Sequence, residues 1–129
     1  MIRYRYTTQL TPPAPFVYLA VGCVATGALV SELPAQIDTA ADRTVLPKQL
    51  VATLGLAEDG RALFQGFVSE IVELPLYLVE IRIGDFRPLL VRAVLGAAET
   101  HILLGRDVLN AHRVLLEGPQ LSLEIDQPT

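Results

Sequence analysis

The residues best suited to chemistry lie in one segment, Ala35-Gln36-Ile37-Asp38-Thr39-Ala40-Ala41-Asp42-Arg43-Thr44-Val45-Leu46-Pro47. An apolar run ends in a carboxylate, Asp38. A hydroxyl, two small residues and a second carboxylate, Asp42, follow. A carboxylate at the end of a buried strand must find partners or stay protonated. Small side chains beside it let another backbone approach closely. The same pattern also suits a turn or helix cap, in which Asp and Thr oxygens satisfy backbone N–H groups. The segment alone does not separate the two readings.

A second segment, His101-Ile102-Leu103-Leu104-Gly105-Arg106-Asp107-Val108-Leu109-Asn110, carries an apolar strand into a glycine and then a short helix bearing an Arg and an Asp. Together the two segments resemble the retropepsin family, known from retroviral proteases and their bacterial and eukaryotic relatives. The first matches that family's Asp-Thr/Ser-Gly-Ala-Asp motif and the second its Ile-Ile/Leu-Gly-Arg-Asn/Asp motif. They stand in the family's order, roughly 65 residues apart. The resemblance runs from Phe16 to Ile125 and takes in the strand Leu76 to Ile83 between the motifs.

The resemblance implies an aspartic endopeptidase built as half of a symmetric homodimer. In that family Asp38 would be the catalytic carboxylate, and Thr39 would bond across the dimer axis. Asp42 would pair with Arg106 inside one subunit, and Ala40, Asp42 and Arg43 would border the substrate cleft. A flap hairpin would span Leu63-Phe64-Gln65-Gly66-Phe67-Val68-Ser69, with Gly66 and Phe67 facing substrate. Two Asp38 carboxylates would share one proton and activate a water, because like charges in contact cannot both ionise. No metal, cofactor or covalent intermediate is needed. The substrate would be a peptide or an unfolded protein. Position 40 is Ala where most active members have Gly; the added methyl either crowds a peptide, weakening activity, or narrows the range of substrates. The alternative is a non-catalytic dimeric peptide-binding or scaffold module of the same fold.

These side chains need a frame. The runs Phe16–Cys23, Val30–Ile37, Thr44–Leu46, Glu70–Ile83, Pro88–Leu95, Ile102–Leu104, Val114–Glu117 and Gln120–Ile125 read as strands. Pro75 places an edge or a bend within the fourth of them. Pro47–Leu54 reads as a short helix, with Pro47 in its first turn and Gly55 at its end. Arg106–Ala111 reads as a second short helix. Thr11-Pro12-Pro13-Ala14-Pro15 is expected to be a stiff extended connector. Many short strands with little helix argue for an all-β barrel or sandwich. The family resemblance narrows this to a single domain over residues 1–129, a retropepsin-like closed barrel with one short C-terminal helix. Leu121-Ser122-Leu123-Glu124-Ile125 alternates as a half-buried strand does, and is expected to be an unpaired edge available to a second copy.

Composition removes other classes. With 51% hydrophobic and 19% charged residues, the chain can bury a core. Its formal net charge of -4 gives no footprint for nucleic acid, and no polybasic run marks a membrane surface. The longest apolar stretch, Phe16–Val30, is broken by glycines and falls short of the roughly 20 residues that span a bilayer. The Met-Ile-Arg-Tyr-Arg-Tyr start does not read as a signal peptide. The lone Cys23 reads as a buried thiol in a reducing, cytoplasmic setting. His101 and His112 are joined by no Cys or carboxylate cluster at metal-ligand spacing. No phosphate loop and no nucleophilic Ser or Cys context is present.

Overall fold

The computed structural model describes residues 1–65 and 70–129. Strand β1 is Ile2–Arg5, and β2, Phe16–Cys23, is rich in aromatic and β-branched side chains. A tight turn leads into β3, Leu29–Ile37. The turn is closed by Gly27 N–H on the Cys23 carbonyl and by Cys23 N–H on the Ala28 carbonyl, and Gly27 supplies its positive φ of 74°. Strand β4, Val45–Pro47, runs directly into helix α1, Lys48–Leu54. Pro47 keeps extended backbone as the cap of α1, so it ends the strand and does not begin the helix. Gly55, at φ 61°, closes α1 with left-handed geometry, its N–H and that of Leu56 reaching back to helix carbonyls.

Strands β5, Glu58–Gln65, and β6, Ile71–Arg82, form a long antiparallel hairpin. Then come β7, Leu89–Gly96; β8, Ile102–Leu104; helix α2, Arg106–Leu109; and β9, Arg113–Glu117, joined by a single 3-10 turn to β10, Ser122–Asp126.

Six strands close a ring in the order β2-β3-β8-β4-β7-β6, with β6 returning to β2 and β5 flanking β6. Strand β6 can serve three neighbours because it is long. Its first half pairs with β5, its second half with β2, and β7 runs along its middle. Pro75 lies where β6 has β5 alone as its neighbour, one residue before the ladder to β7 begins at Leu76. It faces Arg61 at the point where β5 slips register between Glu58 and Arg61, so the ladder bends around the residue that lacks a donor. Side chains alternate about the ring: Val17, Leu19 and Val21 of β2, Val79 and Ile81 of β6, and Ile102 and Leu104 of β8 all point into one core. Cys23 is a buried free thiol at the end of β2.

Two expectations about the chain ends are corrected. Thr11–Pro15 is not a straight spacer, since Thr7 and Ala14 exchange both backbone hydrogen bonds and the chain folds back on itself there. Strand β10 is not an edge either. It is the central strand of a three-stranded sheet, β1-β10-β9, with Ile125 opposite both Ile2 and Val114. Its alternation arises because Leu123 and Ile125 face the barrel core, where both are fully buried.

Candidate active site

Strands β3 and β8 lie parallel, with Ile37 opposite Leu104, and this pairing sets the site. Each strand ends at the same level, so Asp38 emerges beside Gly105. The ladder continues one step further through Asp38 N–H on the Leu104 carbonyl at 3.1 Å. A turn follows at once. Ala41 N–H reaches the Asp38 carbonyl at 3.2 Å, and Ala40 N–H donates to Asp38 Oδ1 at 3.1 Å. The cap-like behaviour expected of an Asp-Thr pair is thus real, and it occupies one carboxylate oxygen of a partly exposed Asp38. Thr39 and Ala40 are exposed at the apex of the turn. Among the described residues, positive φ outside glycine occurs only at Glu32 and Leu121, so the backbone at Ala40 does not require glycine.

The loop Asp38–Thr44 is tied down by the start of α2. Arg106 N–H donates to the Ala41 carbonyl at 2.9 Å, and Arg106 Nη1 to the Thr39 carbonyl at 2.7 Å. Thr44 is fully buried, and both its donors reach Asp107: N–H to Oδ2 at 2.9 Å and Oγ1 to Oδ1 at 2.7 Å. Thr44 Oγ1 in turn accepts from Gly105 N–H at 3.1 Å. Gly105 permits this closeness. A Cβ built there would lie 2.6 Å from the Arg43 carbonyl carbon and 2.9 Å from Thr44 N, distances that no real side chain tolerates.

The expected Asp42–Arg106 ion pair is not among the ion pairs of the described residues. The Arg106 backbone N–H lies on the Ala41 carbonyl, next to Asp42, but its guanidinium turns to the Thr39 carbonyl, and an exposed carboxylate such as Asp42 gains little by leaving water for an ion pair. The carboxylate held at this junction belongs to Asp107. Arg43 lays its Nη1 on the Arg92 carbonyl of β7 at 3.3 Å, and Arg92 Nε reaches Asp59 of β5 at 3.0 Å. That chain of contacts links the loop to the base of the β5–β6 hairpin. Gly66 and Phe67 lie outside the described residues. The hairpin arms are paired up to Gln65 opposite Ile71, with Leu63 and Ile71 strongly exposed.

Residue type alone gives Thr44 and Asp107 no role. Thr44 opens what reads as an ordinary apolar strand, and Asp107 looks like a helix-start acid. The available signal was a threonine placed shortly before the buried Leu46, with an Asp directly after the Gly-Arg pair.

The profile of the aspartyl protease family matches residues 24–108, more than half of the chain and including both motifs. The chain belongs to the aspartyl protease family. No curated protein matches its sequence. Solved structures resemble this aspartyl protease family member in fold. A retropepsin-like aspartic protease from Rickettsia conorii superposes with a TM-score of 0.63 at 14% identity, covering 95% of this chain and 86% of that one. The EIAV protease complexed with the inhibitor HBY-793 gives 0.56 at 21% identity, over 83% of this chain and 92% of that one. The retroviral protease-like domain of Ddi1 from Leishmania major gives 0.51 at 15% identity, over 87% and 89%. The fold is therefore retropepsin-like: among the described residues, a six-stranded closed barrel with two α-helices, one of them a single turn. Among the described residues, no helix is long and apolar enough to cross a membrane.

Proposed function

We propose that this family member is an aspartic endopeptidase working as a homodimer, with Asp38 of each copy supplying one of two paired carboxylates. The observation that supports it best is the state of Asp38 itself. It stands at a strand end in a loop fixed to α2, with its Oδ1 held by the Ala40 amide, which leaves Oδ2 available for a second carboxylate and a water. One carboxylate then takes a proton from water while the other, protonated, polarises the scissile carbonyl. This division of labour is the established behaviour of aspartic protease dyads. The chain carries one such motif, so a C2 partner supplies the other half. Thr39, exposed beside Asp38, is the group to bond across that axis. Ala40, Asp42 and Arg43 border the cleft. The substrate is a peptide or unfolded protein, and the working compartment is the cytoplasm.

The second reading, a dimeric peptide-binding module without turnover, is favoured by Ala40 and by a flap segment, Leu63–Ser69, that holds a single glycine, Gly66. Against it, Ala40 leaves the carboxylate, the hydroxyl and the local backbone conformation in place. One experiment separates the two. Purified protein, incubated with a diverse peptide library at mildly acidic pH, should cleave some peptides, be blocked by a statine-type transition-state mimic, and lose all cleavage in Asp38→Asn. Equal, negligible digestion by wild type and Asp38→Asn, with peptide binding retained in both, would establish the binding module instead.

A further inference from the structure

Asp107 lies on α2, outside the loop that bears Asp38, yet it is the carboxylate most closely engaged with that loop. Both of its oxygens are occupied by Thr44, the residue that ends the loop, at 2.9 and 2.7 Å. The donor count closes without remainder. The Asp107 oxygens accept; Thr44 N–H and O–H donate to them; and the free lone pairs of Thr44 Oγ1 take Gly105 N–H at 3.1 Å. Thr44 has no exposed surface, so none of its groups can turn to water if a partner is lost. At its other end the loop is fixed by Asp38 N–H on the Leu104 carbonyl. The stretch between is held by short turns and the two Arg106 contacts.

We infer that Asp107 is a positioning residue, which acts through Thr44 to fix the height and tilt of the Asp38 loop against α2. It touches no reacting group. Its effect falls on where the Asp38 carboxylate sits, and a misplacement of about 1 Å at a reacting group can cost as much as ~100-fold in rate. Arg106 and Asp107 grip the loop at different points. Arg106 holds its apex by main-chain carbonyls, and Asp107 holds its exit through the buried Thr44. This inference takes the peptidase reading for its rate measurements and stands apart from it in hydrogen exchange.

The test compares Asp107→Ala, Asp107→Asn, Thr44→Val and Thr44→Ser in the full chain by two readouts, well below each variant's unfolding temperature. The first is amide hydrogen exchange at Asp38, Ala41 and Thr44. The second is the split between kcat and KM on a peptide cleaved by wild type. Asp107→Ala and Thr44→Val should raise exchange at Asp38 and Ala41 about tenfold and lower kcat about tenfold with KM nearly unchanged. Thr44→Ser, which keeps the hydroxyl in place, should stay close to wild type in both, whereas Asp107→Asn, which keeps one acceptor and turns an NH2 donor toward the other Thr44 donor, should fall between wild type and Asp107→Ala. If Asp107→Ala fails to fold, Thr44→Val carries the comparison, since it retains the backbone bond to Asp107. Loop exchange unchanged in the Ala and Val variants, or a kcat loss in Thr44→Ser as large as in Thr44→Val, would overturn the inference. A wild type that cuts nothing while its loop exchange responds as described would strike the peptidase reading and leave the positioning role supported.

Discussion

At the scale of single residues, the junction between the Asp38 loop and α2 is asymmetric in what it buries. Arg106 is exposed and makes one side-chain bond to a carbonyl, whereas Thr44 has no exposed surface. Removing the Arg106 side chain should therefore cost little stability. Arg106→Ala is expected to lower the unfolding free energy by about 1 kcal/mol, the scale of a solvent-exposed charge-assisted contact, well short of the ~3–5 kcal/mol of a broken buried ion pair. Urea denaturation of the two proteins checks this. Both motifs could be read in the sequence because each sets an unusual residue type at the end of an apolar run. Partner choice could not be read, because it depends on how the loop and α2 meet in space. Arg106 reaches the Ala41 carbonyl with its backbone and the Thr39 carbonyl with its guanidinium, two of several acceptors in the loop beside Asp42. The same applies to Asp107, whose importance rests on a partner 63 residues away.

At the scale of elements, local patterns mark most strands and say little about their neighbours. Phe16–Cys23 and Ile102–Leu104 are bounded as their composition suggests, since β-branched and apolar runs end at turn residues. Strand β5 is less legible: Glu58-Asp59-Gly60-Arg61 is polar and glycine-containing, and it becomes a strand only because β6 offers it a ladder. The alternation of Leu121–Ile125 marks a strand with one buried face, which an edge and a centre strand share. The N-terminal partner, β1, decides between them. That placement makes β10 a keystone of the terminal sheet. Leu123→Ala should cost about 2–5 kcal/mol, as deletion of a fully buried leucine does, and should loosen β1 and β9 together. Loss of protection confined to β10 alone in hydrogen exchange would contradict that arrangement.

At the scale of the whole molecule, the ring of six strands presents Asp38 at the mouth of the barrel, with the β5–β6 hairpin rising from the same wall that Arg43 and Arg92 span. One chain offers one such carboxylate, and the chemistry proposed for it needs two. The most direct test is to mix wild type with Asp38→Asn at fixed total concentration, allow exchange of subunits, and measure cleavage. If both carboxylates of a dimer are required, only dimers of two wild-type chains cut, and an equal mixture retains about a quarter of the wild-type rate. If each chain works alone, the mixture retains about half, and the paired Asp38 mechanism is contradicted.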